Sequence, residues 1–167
     1  MSELHRAALV LLGHAPREPS GELAPYLDSY RFTHFRGREY VDPSKPALPL
    51  EYYIKAAAQA ALHDELRAAA GSAITIASFY RPPGHNQGGA PKSDHLTADA
   101  CDLRFASHRA ARRGVERLRP FWESGLLQIS LGLYHPQWKR IHVGMLVGSA
   151  GRWWVEYGAQ PLPWFRR

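Results

Sequence analysis

The fold of this chain is decided by the stretch Ser78–Leu103, whose sequence is SFYRPPGHNQGGAPKSDHLTADACDL. The run Ala73–Ala77 before it is typical of a β-strand. The centre of the stretch is rich in Gly and Pro, so it cannot continue that strand and predicts a loop. Its end places His95 seven residues before Asp102. A loop held between regular elements is a common place for chemistry.

Helices and strands are predicted on both sides of this stretch. The Ala-rich segment Leu50–Ala70 carries a helical apolar stripe, and Gly71 after it is a typical stop. Ser107 is a typical N-cap for a second helix over Ser107–Ser124. A first helix is predicted near Glu3–Leu12. The predicted strands after the loop are Ala98–Phe105, Leu126–Tyr134, Arg140–Val147 and Arg152–Tyr157.

This order of elements predicts an α+β fold, a single domain with a central antiparallel β-sheet flanked by helices. A chain of 167 residues is long enough for one such domain. We expect residues 1–49 to form an N-terminal helix and an extended segment packed on the core, 50–158 to form the core, and 159–167 to be a tail. Within the first segment, residues 30–41 predict either a short strand or an irregular aromatic segment.

Composition and charge restrict the partners. The formal charge of +6 and the pI near 9.7 favour anionic partners, such as nucleic acid, acidic wall polymers or lipid headgroups. Cys101 is the only cysteine, so no disulfide forms within the chain. The apolar run Ala7–Leu12 is too short for a membrane span and is not a convincing signal peptide. Export would therefore need another route, such as host lysis.

Three residues are candidate ligands of a metal ion. Catalytic zinc usually takes three protein ligands from His, Asp, Glu or Cys and leaves one position for water. His95 and Asp102 are two candidates, and His142, in the predicted strand Arg140–Val147, is the third. The spacing of His95 and Asp102 does not decide the question, because chance often produces it. A lone histidine such as His142 is also more often an interior side chain with a hydrogen-bond partner.

The whole arrangement resembles the M15 family of zinc peptidases, the D-alanyl-D-alanine carboxypeptidases and L-alanyl-D-glutamate endopeptidases that cut peptidoglycan stem peptides. The family pattern is a strand running into S-G-Y-R-[ST]-P-x-x-N, a Gly-rich loop, S-x-H-x-x-G-x-A-x-D-[IL], and a late strand with a third His. The residues that fit it are Ser78, Tyr80, Arg81, Pro83, Asn86, Ser93, His95, Ala100, Asp102, Leu103 and Ile141–Val143. The resemblance covers roughly residues 50–154, including the Leu66-Arg67 pair and Gly151–Trp154, and implies a hedgehog/D-Ala-D-Ala peptidase-like fold.

The resemblance also implies roles for particular residues. His95, Asp102 and His142 would bind Zn²⁺. Arg81 would lie near the substrate, where a guanidinium can hold a carboxylate or polarise the carbonyl under attack; a structural salt bridge is the alternative for this residue. Ser93 would contact the substrate or shape the loop.

The chain departs from the family pattern in three places. The Gly of G-x-A-x-D is Ala98, which is a mild change provided that its φ is negative. The Gly before Tyr-Arg is Phe79, and we expect its ring to narrow or cover the site. The third departure concerns the general base that a zinc peptidase needs. Family members carry a carboxylate either three residues before the last His, here Lys139, or two residues after it, here Gly144.

Other residues are candidates for the missing base. His135 is the leading candidate, because a neutral imidazole can accept the proton of the attacking water. Glu123 and Asp99 are weaker candidates, and strand alternation places Asp99 on the face opposite the predicted ligands. Lys139 and Arg140 are candidates for binding a substrate carboxylate or stabilising the oxyanion.

The leading functional hypothesis is a zinc peptidase that hydrolyses peptidoglycan peptides. Together with the lack of a convincing signal peptide, the resemblance implies a bacterial or phage protein that acts on the cell wall after lysis or as part of a virion, and is otherwise cytoplasmic. The alternative is a catalytically impaired domain that binds cell wall or has a structural role in a larger, phage-type assembly. A nucleic-acid binder is a third hypothesis, since an Arg-rich helix and five Trp are present, but no recognised nucleic-acid motif occurs and we expect no such partner.

Overall fold

The computed structural model describes residues 2–86, 91–124, 128–134, 140–145 and 152–156. The helices are α1 (Ser2–Leu11), α2 (Leu23–Asp28), α3 (Tyr53–Ala70), α4 (His108–Glu116) and α5 (Arg119–Ser124). The strands are β1 (Ile74–Ser78), β2 (Ala100–Phe105), β3 (Ile129–Tyr134), β4 (Arg140–Met145) and β5 (Arg152–Glu156). Short 3-10 turns cover Gly37–Tyr40, Leu50–Tyr52 and Asp94–Thr97. The predicted α+β class is confirmed.

Helix α3 is the central helix of the fold. Its alanines are good helix formers, and their small side chains let other elements approach it closely. Helices α1, α2 and α4 all contact it, so it is buried on most of its circumference rather than along one stripe. The helix ends at Gly71, whose φ of 62° places it in the left-handed conformation that favours glycine.

The strands form one sheet in the order β1-β2-β4-β3-β5. The pairs β1–β2, β2–β4 and β3–β4 are antiparallel, as predicted. Strand β5 differs from the prediction because it pairs with β3 in parallel. The chain runs from β3 through the adjacent β4 before β5 is added on the other side of β3, which gives β5 the direction of β3.

One face of the sheet forms the hydrophobic core together with the helices. Strand residues of this face belong to the same buried cluster as helix residues such as Leu62, Leu66 and Val115. The strand residues of the cluster are Ile74, Cys101, Leu103, Phe105, Ile129, Leu131, Leu133, Ile141, Val143 and Met145. They alternate along each strand with the residues of the opposite face, which is the polar one that carries the candidate ligands.

The helix predicted over Ser107–Ser124 is two helices. Ser107 is the N-cap as predicted, since its Oγ accepts a hydrogen bond from the amide of Ala110 at 3.2 Å. Helix α4 ends at Glu116 and α5 begins at Arg119. Pro120 explains the break, because proline has no N–H to donate to residue 116 and its ring would crowd that carbonyl group.

The N-terminal segment contributes an aromatic layer to the core. The first helix is confirmed, and residues 30–41 form an irregular segment that ends in the 3-10 turn Gly37–Tyr40, not a strand. Tyr30, Phe32 and Phe35 are buried. Asp64 of α3 anchors this segment by accepting hydrogen bonds from the amides of residues 33 and 34 at 3.0 and 2.6 Å.

None of the helices in the part of the chain that the structure describes is long and apolar enough to cross a membrane.

Candidate metal centre

A β-bulge at the end of β1 begins the site. Ile76 is opposite Leu103, but Ser78, two residues later, is opposite Asp102, only one residue away on β2. The extra residue turns the Ser78 side chain toward the polar face of the sheet, as bulges commonly do near active sites. Ser78 Oγ then accepts a hydrogen bond from Nε of Arg81 at 2.9 Å.

The 3-10 turn Asp94–Thr97 positions the first candidate ligand. Ser93 caps this turn, and its Oγ accepts a hydrogen bond from the amide of His95 at 3.4 Å. The carbonyl oxygen of His95 accepts a hydrogen bond from the amide of Arg81 at 3.0 Å, which connects both ends of the loop. Ser93 therefore shapes the loop, as one of its predicted roles requires.

The three predicted metal ligands come together. Asp102 on β2 and His142 on β4 are direct register partners, and His95 approaches them from its turn. One ligand atom of each residue lies within 4.8 Å of the other two. All three side chains are buried: the residues are 2%, 2% and 5% exposed for His95, Asp102 and His142.

The distances within this cluster suit zinc. Nε2 of His95 lies 3.4 Å from Oδ1 of Asp102, and Nδ1 of His142 lies 3.3 Å from the same oxygen. Tetrahedral zinc with bonds of about 2.0–2.1 Å separates its ligand atoms by about 3.3–3.4 Å. Two nitrogens and a carboxylate oxygen are also the donor types that zinc takes in catalytic sites. The residues present therefore fit a zinc ion.

The tautomer of His95 agrees with this role. Its Nδ1 lies 2.6 Å from the carbonyl oxygen of Phe79. Because a carbonyl oxygen only accepts hydrogen bonds, Nδ1 carries the hydrogen, and the lone pair of Nε2 points toward Asp102. A metal-binding histidine is typically oriented by such an outer hydrogen bond.

Asp102 is surrounded by donors. Its Oδ1 faces the two histidines, while its Oδ2 accepts hydrogen bonds from Arg81 and Arg140, each at 2.6 Å. Burial acts to raise the pKa of Asp102, but the neighbouring side chains of His142, His95 and Arg140 favour the ionised carboxylate, outweigh burial and hold the pKa well below its usual range. Asp102 is therefore ionised at neutral pH.

For His142, burial has a larger effect on the pKa than the neighbouring groups have, in contrast to Asp102. Burial lowers its pKa and outweighs the hydrogen bond with Asp102, which acts to raise it. The imidazole is therefore neutral at pH 7. A neutral imidazole and an ionised carboxylate are the protonation states that metal binding needs.

The two arginines differ in their access to solvent. The side chain of Arg81 is 20% exposed and is held by Ser78 as well as Asp102. That of Arg140 is 49% exposed and contacts the Tyr134 ring, with 5.9 Å between the guanidinium carbon and the ring centre. Arg140 is thus the one of the two that is better placed to contact a ligand from solvent.

The condition set for Ala98 is not met, and the expectation for Phe79 is wrong. Ala98 has a φ of 56°, so it occupies the left-handed conformation at the end of the 3-10 turn rather than a conformation with negative φ. This explains why glycine suits the position. The ring of Phe79 does not cover the site: it is 5% exposed and packs in the core, edge-on against Tyr40 with 5.4 Å between ring centres.

The candidates for the general base have different surroundings. Asp99 lies opposite the ligand face, where Lys55 Nζ is 2.7 Å from its Oδ2. Glu123 pairs with Arg119 on the exposed side of α5 at 2.9 Å. His135 and Lys139 lie outside the described residues.

Gly144 has no room for a side chain. A Cβ atom there would collide with Oγ of Ser130 and lie 2.9 Å from the carbonyl oxygen of Asp99. With Ser130 opposite, this position therefore has no room for the carboxylate that the sequence pattern suggests.

Two residues next to His142 were not predicted from the sequence. Oγ of Ser130, on β3, lies 3.5 Å from Nε2 of His142, and Oδ2 of Asp94 lies 3.9 Å from the same nitrogen. The position of Asp94 directly before His95 was a signal that could have been used. Nothing in the local sequence of Ser130 points to His142, because the contact depends on the register of two strands.

Comparison with known proteins identifies the family. The family described as Peptidase M15 matches residues 33–129, which is more than half of the chain and includes His95 and Asp102. No curated protein matches the chain, and no solved structure matches it either. The matched segment and the cluster of two histidines and an aspartate agree with each other, and the chain belongs to the peptidase M15 family.

Proposed function

We propose that the protein is a zinc-dependent peptidase that hydrolyses amide bonds in peptidoglycan stem peptides. The observation that carries this proposal is the spacing of the His95, Asp102 and His142 ligand atoms, which is 3.4 and 3.3 Å about Asp102 Oδ1. Family membership supports peptide hydrolysis in general. The net charge of +6 suits an acidic wall polymer as substrate.

Each residue of the site has a defined part in this proposal. His95, Asp102 and His142 hold the ion, and zinc supplies Lewis-acid chemistry by polarising a carbonyl group and lowering the pKa of water. Arg81 and Arg140 neutralise Oδ2 of Asp102, and their remaining N–H groups can bind a substrate carboxylate or the developing oxyanion. Lys139 is a further candidate for binding a substrate carboxylate.

Proton transfer needs a group that accepts a proton from the attacking water and passes it to the leaving amine. We assign this role to His135. The collision at Gly144 supports a base that comes from elsewhere in the chain. His135→Ala is expected to lower kcat by about 100-fold or more with little change in zinc content. Undiminished turnover in this variant would exclude His135.

The central experiment is hydrolysis of purified peptidoglycan by the zinc-loaded protein. New amine ends should appear, and a chelator should abolish them. His95→Ala should be inactive, while His108→Ala, which removes an exposed histidine of α4, should keep full activity. Hydrolysis by His95→Ala at the rate of the unaltered protein would contradict the proposal.

A wall-binding or structural domain is the second candidate, favoured by the lack of room for a carboxylate at Gly144. It predicts sedimentation of the zinc-loaded protein with purified walls without any release of amine ends. For either candidate, we propose action on the wall after lysis or as part of a virion.

A further inference from the structure

The two ring nitrogens of His142 have different surroundings. Nδ1 lies 3.3 Å from Oδ1 of Asp102, on the side of the cluster where His95 also points. Nε2 faces away from that oxygen, toward Oγ of Ser130 at 3.5 Å and Oδ2 of Asp94 at 3.9 Å. The ring therefore lies between a ligand group on one side and two oxygens on the other.

Metal binding through Nδ1 requires a particular tautomer. The lone pair of Nδ1 must be free, so the single hydrogen of the neutral ring is on Nε2. That N–H needs an acceptor, because a buried donor without one is costly. For His95 the corresponding acceptor is the Phe79 carbonyl group, at 2.6 Å from Nδ1. For His142 the corresponding acceptor is Oγ of Ser130, at 3.5 Å from Nε2, and the Asp94 carboxylate, at 3.9 Å, is near enough to act through its charge.

The structure gives Ser130 room for this contact. Ser130 is fully buried and is the register partner of Gly144. Any side chain at residue 144 would collide with Ser130 Oγ. The glycine that removes the expected carboxylate from β4 therefore leaves room for a hydroxyl group beside His142.

Asp94 adds a negative charge on the same side. Its side chain is 13% exposed, so solvent screens the charge only in part. Asp94 belongs to the 3-10 turn that also carries His95, and one turn thus supplies both a ligand and a carboxylate beside the second ligand. A carboxylate near the outer N–H of a metal-binding histidine favours the correct tautomer and makes the ring a stronger donor to the metal.

We propose that Asp94 and Ser130 are positioning residues that hold His142 in the tautomer with hydrogen on Nε2, and thereby increase the zinc affinity of the site. This inference rests on the proposed zinc site. It assigns a role to two residues that act through His142 and do not contact the ion themselves.

Zinc affinity measured by chelator competition tests the proposal. Asp94→Asn keeps the size of the side chain and removes its charge, and Ser130→Ala removes the hydroxyl group. We expect Asp94→Asn to raise the zinc Kd about 10–100-fold and Ser130→Ala to raise it up to about 10-fold. The matched control is Asp42→Asn, which removes a carboxylate that pairs with Lys45 in the Pro-rich connection and should leave Kd unchanged.

The cobalt-substituted protein gives a signature that a merely structural role would not change. The visible bands of tetrahedral Co²⁺ should shift in Asp94→Asn and Ser130→Ala, but not in Asp42→Asn. If a variant does not fold, nitrogen-15 NMR of the zinc-loaded unaltered protein tests the tautomer on which the positioning role depends. The Nε2 of His142 should carry a hydrogen, and a hydrogen on Nδ1 instead would overturn the proposal.

The remaining outcomes separate this inference from the proposed function. An unchanged zinc Kd in both folded variants would overturn the positioning role even if the protein cleaves peptides. A normal Kd together with lost turnover in Asp94→Asn would also overturn it, because Asp94 would then act in the chemical step. Failure of the unaltered protein to bind zinc would instead reject the metal site on which the inference rests.

Discussion

Nδ1 of His142 lies 3.3 Å from Oδ1 of Asp102, and the two residues are direct register partners on neighbouring antiparallel strands. The candidate metal site thus depends on strand register. A slip of one residue between β2 and β4 would move one of the two side chains to the core face of the sheet. The apolar residues that alternate with them, such as Leu103 and Val143, fix this register by their burial.

His142→Ala should remove zinc from the protein. Loss of an outer-shell partner lowers the metal affinity of a site by 10–100-fold, so loss of a ligand should lower it by more than about 100-fold. Zinc content after dialysis, measured by mass spectrometry, checks this. His108→Ala is the matched control and should retain about one zinc per chain. Full zinc content in His142→Ala would show that this residue is not a ligand.

Zinc should also stabilise the fold. At a free zinc concentration 100 times Kd, binding adds about 2.7 kcal/mol to the free energy of unfolding. For a chain of this size, that corresponds to a rise in Tm of roughly 5–10 °C. Thermal unfolding with zinc and with a chelator measures the difference. His95→Ala should show no such rise, and an equal rise in that variant would place the stabilising ion elsewhere.

Some features of the site follow from sequence because they are local. His95 and Asp102 lie in one loop and the strand after it, and the resemblance to a known pattern extends to His142. The stop of α3 at Gly71 and the N-cap at Ser107 also follow, since each depends on a single residue and its immediate neighbours.

Other features depend on tertiary contacts that sequence patterns do not report. The parallel pairing of β5 is set by where the chain is added to the sheet. The contact of Ser130 with His142 depends on the glycine opposite it on β4. Lys55 is typical of an exposed helix position, yet it is buried because Asp99 lies beside it. The break before α5 was available from Pro120 alone, and the prediction of one helix was wrong there.

Lys55→Met should destabilise the protein. Lys55 Nζ lies 2.7 Å from Oδ2 of Asp99, and the two side chains are 5% and 16% exposed. Removing one partner leaves a largely buried charge, which costs about 3–5 kcal/mol of unfolding free energy. Urea unfolding measures this change. The control is Lys45→Met. The side chain of its partner Asp42 is 46% exposed, so this substitution should lower the free energy of unfolding far less than Lys55→Met does.

The double variant Lys55→Met/Asp99→Asn refines this test, because it removes both charges. It should be more stable than Lys55→Met alone, since no buried carboxylate is left without its lysine; His5 and Thr97 contact residue 99 in both variants. If Lys55→Met lowers the free energy of unfolding by less than about 1 kcal/mol, Lys55 and Asp99 do not form a buried ion pair in solution.

Arg140 should recognise a free carboxylate on the substrate if the enzyme removes C-terminal residues. Its guanidinium group is half exposed and already oriented by Asp102 and Tyr134. A charge-assisted hydrogen bond contributes about 1.5–3 kcal/mol, so amidation of the substrate C-terminus should lower kcat/KM about 10–100-fold. Arg140→Ala should lower kcat/KM for the free acid by a larger factor than for the amidated peptide, so that the two values converge.

Arg109→Ala, on the exposed side of α4, is the control for Arg140→Ala and should behave as the unaltered protein does. Equal kcat/KM values for the acid and the amide in the unaltered protein would favour internal cleavage. Arg140 would then have no role in recognising a chain end.

Stability should fall between pH 7 and pH 5 because of His63. This residue is buried beside Tyr40, whose hydroxyl group lies 2.8 Å from Nδ1. Burial lowers the pKa of His63 from 6.5 to about 3 in the folded protein. Between these two values the unfolded chain binds a proton that the folded protein does not, so the free energy of unfolding decreases as the pH falls. From pH 7 to pH 5 the loss due to His63 is about 2 kcal/mol.

Urea unfolding at several pH values, with a chelator present so that metal binding does not contribute, measures this dependence. A glutamine at residue 63 does not titrate in this range. Between pH 7 and pH 5, the free energy of unfolding of His63→Gln should therefore decrease by about 2 kcal/mol less than that of the unaltered protein. His108→Gln, which replaces an exposed histidine, should keep the full dependence. His63→Gln retains every other histidine. If its free energy of unfolding decreases with pH as much as that of the unaltered protein, His63 does not contribute to the dependence. His63 would then bind a proton in the folded state as it does in the unfolded chain.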